Sequence, residues 1–142
     1  MRFLSVNSDS FLIELASLQE TLALYSKLQN LHLKGIKDLI PAAKTILVFF
    51  DEINTDFKTL STLIGSLNID LDIQRHCQQV IIPIRYDGED LAQVAELQGL
   101  SVADLIRKHH QSTWDVAFIG FAPGFAYMNS PDQPFTDIPR LK

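Results

Sequence analysis

Ile36-Lys37-Asp38-Leu39-Ile40-Pro41-Ala42-Ala43-Lys44-Thr45-Ile46-Leu47-Val48-Phe49-Phe50 is the stretch on which the fold turns. Its ends, Ile36 to Ile40 and Thr45 to Phe50, are strand candidates, the second rich in β-branched and aromatic residues, and Pro41 to Lys44 joins them. Moving toward the N-terminus, Leu18, Leu22, Tyr25 and Leu28 recur at helical spacing between the polar Gln19, Glu20, Lys27 and Gln29, which predicts an amphipathic helix from Ala16 onward. Toward the C-terminus, Asn54 or Thr55 can cap a second helix whose Phe57, Leu60, Ile64 and Leu67 share one face. Outside the helices lie two more apolar runs, Phe11 to Leu15 and Val80 to Ile84, the latter interrupted by Pro83, which suggests an edge strand.

From Phe11 to Tyr86 the order is therefore strand, helix, strand, strand, helix, strand, the split βαβ arrangement of ferredoxin-like domains. Right-handed crossovers put both helices on one face of an antiparallel sheet. Phe3 to Val6, before the turn-prone Asn7-Ser8-Asp9-Ser10, adds a hairpin strand at the front. The expected class is α+β, with a first domain over residues 1–86 and a second over 87–142. In the second, Asp87 with Asp90 caps a helix carrying Leu91, Val94 and Ala95, which Gly99 ends, and Ser101 with Asp104 caps another through Leu105, Ile106 and His109. Trp114 to Ile119 returns to strand character, and the stretch with Pro131, Asp132, Pro134, Asp137 and Pro139 reads as loop. A helix pair with one or two strands leaves an open sheet edge after Tyr127, an expected route to homo-oligomers by strand exchange.

Composition narrows the function classes. The 142 residues are 46% hydrophobic and 20% charged, with a net charge of −5, so neither nucleic acid nor an anionic membrane is an expected partner. The apolar runs are too short to span a bilayer and no signal peptide opens the chain, which makes a cytoplasmic protein the expectation. The single cysteine, Cys77, has no internal disulfide partner; beside His76 it is a nucleophile candidate, but a buried or edge-strand thiol is the favoured reading.

Gly120-Phe121-Ala122-Pro123-Gly124-Phe125-Ala126-Tyr127 is the stretch with the strongest functional character. Glycine weakens a strand unless a ligand or another backbone must come close, and proline removes a ladder donor; two glycines, a proline and three rings together suit the wall of a small-molecule pocket. A bulged strand that buries its rings is the competing reading. His109 and His110 close a helix, where a cation is favoured against the helix dipole, and neither has the spacing of a zinc site, so no metal is expected. The helix pair from Leu91 to His109 superficially matches a helix-turn-helix, but Glu89, Asp90, Glu96 and Asp104 repel phosphate. No GxxxxGK[ST], GxGxxG, GxSxG or HExxH motif occurs.

The runs Ile82-Pro83-Ile84-Arg85-Tyr86-Asp87-Gly88-Glu89-Asp90-Leu91, Leu97-Gln98-Gly99-Leu100-Ser101, Ile106-Arg107-Lys108-His109 and Phe118 to Met128, in this order, resemble the family of the 5-oxoprolinase B subunit, also called allophanate hydrolase subunit 1 or the KipI type. The resemblance implies an N-terminal α+β domain followed by a cyclophilin-like β-barrel domain that is incomplete here, since a later SPGGW-like segment of the family is missing and Met128-Asn129-Ser130 stands where the family tends to have a leucine and glycines. It implies a polypeptide that works with subunits C and A and ATP to open 5-oxoproline to glutamate, on a site for small lactams or amides, with the ATP-activated carbonyl opened by water. Carried over by motif, His109 and Asp87 are the catalytic candidates, His109 as a proton shuttle, and Tyr86, Gly120, Phe121, Pro123, Gly124, Phe125 and Tyr127 are the substrate-binding candidates. The alternative that the resemblance carries is an inhibitor that binds a sensor histidine kinase. The chain by itself is expected to be inactive.

Overall fold

A computed structural model describes residues 1–71, 78–135 and 138. Strands and helices alternate in a mixed α+β architecture with antiparallel sheets. The chain divides into two compact units, residues 1–75 with 117–125, and residues 76–116 with 126–142.

The first unit is built on four strands, β1 (Arg2–Asn7), β2 (Ser10–Glu14), β3 (Ile36–Pro41) and β4 (Thr45–Phe50), in the order β1-β2-β4-β3 with every neighbour antiparallel. The two ends of the opening stretch do fold back on one another, Leu39 facing Val48 and Ile40 facing Leu47 across the ladder. Strand alternation sends Phe11 and Ile13 of β2 and Ile46, Val48 and Phe50 of β4 to one face, where all five are buried. Helix α1 (Leu18–Leu31) brings Leu24 and Leu28 to that core, and helix α2 (Phe57–Gly65) brings Leu60 and Ile64. Phe11 also meets Phe57 edge to face at 5.4 Å, an orientation that sets the positive rim of one ring against the negative face of the other.

Local chemistry fixes the helix ends. The Ser17 hydroxyl accepts from the Glu20 N–H at 3.2 Å, and the Ala16 N–H donates to the Glu20 carboxylate, a near relative of the reciprocal capping box. His32 ends α1 in the left-handed region at φ 45°, and Gly35 turns the chain into β3 at φ 91°. The cap of α2 differs from expectation: Asp56, not Asn54 or Thr55, accepts from Thr59 N–H at 2.8 Å. Asn54 and Thr55 are engaged one step earlier, both donating their backbone N–H to the Asp51 carbonyl. The Asp51 carboxylate holds the Ile53 N–H and the Asn54 side chain, hydrogen bonds that lower its pKa.

Val80 to Ile84 does not form the expected closing strand. It belongs to no sheet, and Ile81 is 89% exposed. The outer edge of β2, which a closing strand would need, is already taken by β1, with Leu4 facing Leu12 and Arg2 ion-paired to Glu14 at 2.7 Å. Pro83 moreover lacks the N–H that a ladder requires. Residues 72–77, including His76 and Cys77, lie outside the described residues, as do Asp137 and Pro139.

In the second unit, α3 (Leu91–Leu97) is followed by α4 (Val102–Gln111). Asp87 does not cap α3; Asp90 holds the cap position without a side-chain hydrogen bond. Gly99 ends α3 as expected, at φ 64°, with Leu100 N–H on the Ala95 carbonyl and Gly99 N–H on the Glu96 carbonyl, the paired bonds of a Schellman motif. After α4 along the chain, and not confined to this unit, strands β5 (Asp115–Ile119) and β6 (Ala126–Asn129) form a two-stranded sheet. No helix among the described residues is long and apolar enough to cross a membrane.

Candidate functional site

Helix α4 starts where Ser101 accepts from the Asp104 N–H at 3.1 Å, and Asp104 is ion-paired with Arg107 one turn later. The Ser101 hydrogen bond and the Arg107 charge both hold the Asp104 carboxyl below its usual range. With its start fixed, the helix delivers His109 in its last turn.

There His109 enters an aromatic cluster. The Tyr86 hydroxyl lies 2.8 Å from Nδ1, with the two rings nearly perpendicular at 83°. Trp114 packs against the imidazole at a centroid distance of 5.0 Å, and Phe135 stacks on it at 6.1 Å and 18°. The Trp114 indole N–H donates to the His109 carbonyl at 3.0 Å, so the same side chain that packs on the ring also satisfies a carbonyl of the helix end. Lys108 sits over Phe135 at 5.5 Å. Burial disfavours the imidazolium and pushes the His109 pKa down.

The glycine-rich stretch forms a strained turn. Ala122 N–H bonds back to the Gly120 carbonyl at 2.9 Å, a three-residue turn whose central residue, Phe121, is held at φ 69°. Ala122-Pro123-Gly124-Phe125 follows as a four-residue turn closed by Phe125 N–H on the Ala122 carbonyl at 3.0 Å. Pro123 supplies the fixed φ that such a turn needs at its second position, and Gly124, at φ 75°, the left-handed one at its third. Gly120 N–H to the Phe125 carbonyl at 3.1 Å closes the loop. The Phe121 ring meets Phe125 edge to face at 5.4 Å yet remains 90% exposed.

The structure thus joins Tyr86 to His109, and joins Gly120, Phe121, Pro123, Gly124 and Phe125 in one turn. Tyr127 lies on β6, partly exposed. Asp87 pairs with Arg85 at 2.8 Å, both well exposed. Sequence reasoning does not single out Trp114, Phe135 and Lys108 as members of the His109 cluster. Trp114 stands just beyond the helix end, within reach of a spacing argument; Phe135 comes from a proline-flanked loop with no periodic signal. A cleft of about 410 Å³ between α1 and β3, bordered by Tyr25, His32 and Lys37, involves none of the expected site residues. Among the described residues no group of histidine, cysteine or carboxylate side chains could hold a metal ion.

The family model for the carboxyltransferase domain, subdomains C and D, matches residues 1–142. The chain is 29% identical over 111 residues to the B subunit of 5-oxoprolinase from Bacillus subtilis (strain 168), an alignment covering 66% of this chain and 45% of that protein. It therefore spans less than half the length of that relative. The crystal structure of TTHA0988 in space group P212121 superimposes with a TM-score of 0.64 at 28% identity, over 86% of this chain and 25% of that one. A second crystal form of TTHA0988, P6522, gives 0.64 at 28% identity over 84% and 24%. A match along the whole chain places this protein in the carboxyltransferase-domain family, subdomains C and D, to which the 5-oxoprolinase B subunit and allophanate hydrolase subunit 1 belong.

Proposed function

We propose that the chain acts as the B component of an ATP-dependent 5-oxoprolinase, opening the lactam of 5-oxoproline to glutamate in an assembly with subunits A and C. The observation that carries this reading is the turn at Gly120 to Phe125. A large apolar side chain held at φ 69° and 90% exposed is costly in an isolated surface loop, and such strain concentrates at ligand-contacting sites. The similarity to the 5-oxoprolinase B subunit supplies the substrate class. Gly120, Phe121, Pro123, Gly124, Phe125 and Tyr127 are the proposed substrate-binding residues, and His109 with Tyr86, taken separately, the proposed polar group for the reaction. Asp87 remains a candidate contact once its exposed ion pair with Arg85 opens.

The turn at Gly120 to Phe125 does not fit a nucleotide triphosphate. Phosphate sites use glycine-rich turns that open a helix with free N–H groups, often with an unpaired lysine. In this chain the N–H groups of Gly120, Ala122 and Phe125 are spent within their own turn, and Lys108 is spent on Phe135. ATP use is accordingly proposed for the partner subunits. At the level of architecture, the first unit is read as ferredoxin-like and the second as the opening of a cyclophilin-like barrel, with the helices of the first sharing one sheet face as support.

The exposed Phe121, Ile119 and Phe125 also suit a second reading, an inhibitor docking on a sensor histidine kinase, because such a contact needs an apolar surface and no chemistry. Co-purification separates the two. The enzyme reading expects the chain to be retained by tagged subunits A and C. Suppression of histidine-kinase autophosphorylation by a chain that neither subunit retains would replace it with the inhibitor.

A further inference from the structure

The geometry points to Tyr86 as the residue that fixes the tautomer of His109: its hydroxyl donates to Nδ1, the ring proton is held on Nε2, and His109 meets its ligand as a neutral hydrogen-bond donor to an oxygen atom instead of as a base. The ligand-facing half of this inference rests on the proposed substrate site; the tautomer does not.

The sense of the Tyr86 bond follows from what each partner offers at 2.8 Å. A phenol has one proton to give, and the lone pairs of its oxygen are drawn into the ring, whereas the bare nitrogen of a neutral imidazole is a strong acceptor. O–H to N is therefore the better sense, and an accepting Nδ1 leaves the proton on Nε2. A carboxylate in the same place would do the reverse. It would draw the proton to Nδ1 and leave Nε2 as a base, the logic of a catalytic triad. The nearest candidate in sequence, Asp87, is engaged with Arg85.

The surroundings keep the ring neutral and still. Trp114 and Phe135 both pack against it, and the Trp114 indole anchors the backbone carbonyl of the same residue. Burial among these rings is what disfavours an imidazolium at His109. A neutral Nε2–H in partly apolar surroundings is a donor that an acceptor oxygen satisfies. The carbonyl of a small lactam or amide is such an acceptor, and the negative charge that grows on that oxygen when the carbonyl is attacked strengthens the same hydrogen bond. Tyr86 acts through His109 and is a positioning residue; His109 is the group that touches the ligand.

Long-range ¹H–¹⁵N correlation spectra of the ¹⁵N-labelled 142-residue chain at pH 7.5 read the tautomer directly. The expected result is His109 protonated at Nε2 and bare at Nδ1, with the Nδ1–H form appearing in Tyr86→Phe. A wild-type His109 protonated at Nδ1, or a Tyr86→Phe spectrum with an unchanged tautomer, overturns the inference. The wild-type spectrum decides the sense of the bond even where the variant folds poorly. In the assembly with subunits A and C, His109→Gln keeps an N–H near the Nε2 position and is expected to retain turnover within about 10-fold of wild type, while His109→Ala loses about 10²–10³-fold. Equal losses in the two variants, or an assembly that forms and leaves 5-oxoproline intact, overturn the ligand-facing half, and the spectrum still decides the tautomer.

Discussion

At the residue scale the two features with the greatest chemical content are Phe121 and His109, and each has a consequence that stability measurements reach. Phe121 gains little from burial and is held in a backbone region that costs an L-residue about 1–2 kcal/mol. Phe121→Gly removes that cost while loosening the unfolded chain by about 0.5–1 kcal/mol. We expect its unfolding free energy, from urea titration, to stay within about 1 kcal/mol of wild type; a loss of several kcal/mol would mean that the ring fills a core. His109 is tested by pH. Its folded pKa lies below the ordinary histidine value, so the unfolded chain takes up the proton first as pH falls. Its contribution is complete above about pH 6.5 and declines as pH drops through the folded value. Thermal unfolding between pH 7.5 and 5 should therefore show a fall in midpoint that His109→Gln reduces. The carboxylates of Asp51, Asp56 and Asp104, with lowered pKa values, act in a separate window, losing their contribution only as pH falls below about 4.

At the element scale, packing and turn chemistry divide the work. Leu24 is fully buried between α1 and the sheet, and Leu24→Ala should lower the unfolding free energy by about 2–5 kcal/mol, according to how far the site collapses. Gly35 cannot be replaced cheaply. Its φ of 91° excludes a Cβ, and one placed there would stand 2.6 Å from the Thr55 methyl group, so Gly35→Ala should cost at least about 1 kcal/mol in the same titration, and an unchanged midpoint would contradict the geometry. Much of this level was legible in the sequence. The spacing of Leu18, Leu22, Tyr25 and Leu28 marked α1, the β-branched run marked β4, and Gly99 and Ser101 marked the ends of α3 and α4, because local patterns record which face is buried and which backbone groups need a partner. What was not legible depended on competition between distant segments. Val80 to Ile84 has strand composition, but β1 occupies the edge it would use, and no local feature reports which apolar segment wins a shared partner. The His109 cluster was readable in part: Tyr86 and His109 stand out in the sequence, while Phe135 arrives from a loop whose prolines mark irregularity and nothing about its destination.

At the scale of the whole molecule, several large apolar side chains are exposed. Ile81, Val80 and Ile82 lie open in the unpaired segment, and Phe121 and Ile119 in and beside the strained turn. The proposal for the turn at Gly120 to Phe125 is that it contacts the lactam. The most direct measurement is ATP-dependent release of glutamate from 5-oxoproline by subunits A and C co-expressed with this chain or with its Phe121→Gly variant. The account predicts turnover that requires the chain and falls by about 10²-fold or more in the variant at unchanged assembly. Turnover that the variant leaves intact, or an assembled complex with the wild-type chain that releases no glutamate, would contradict it.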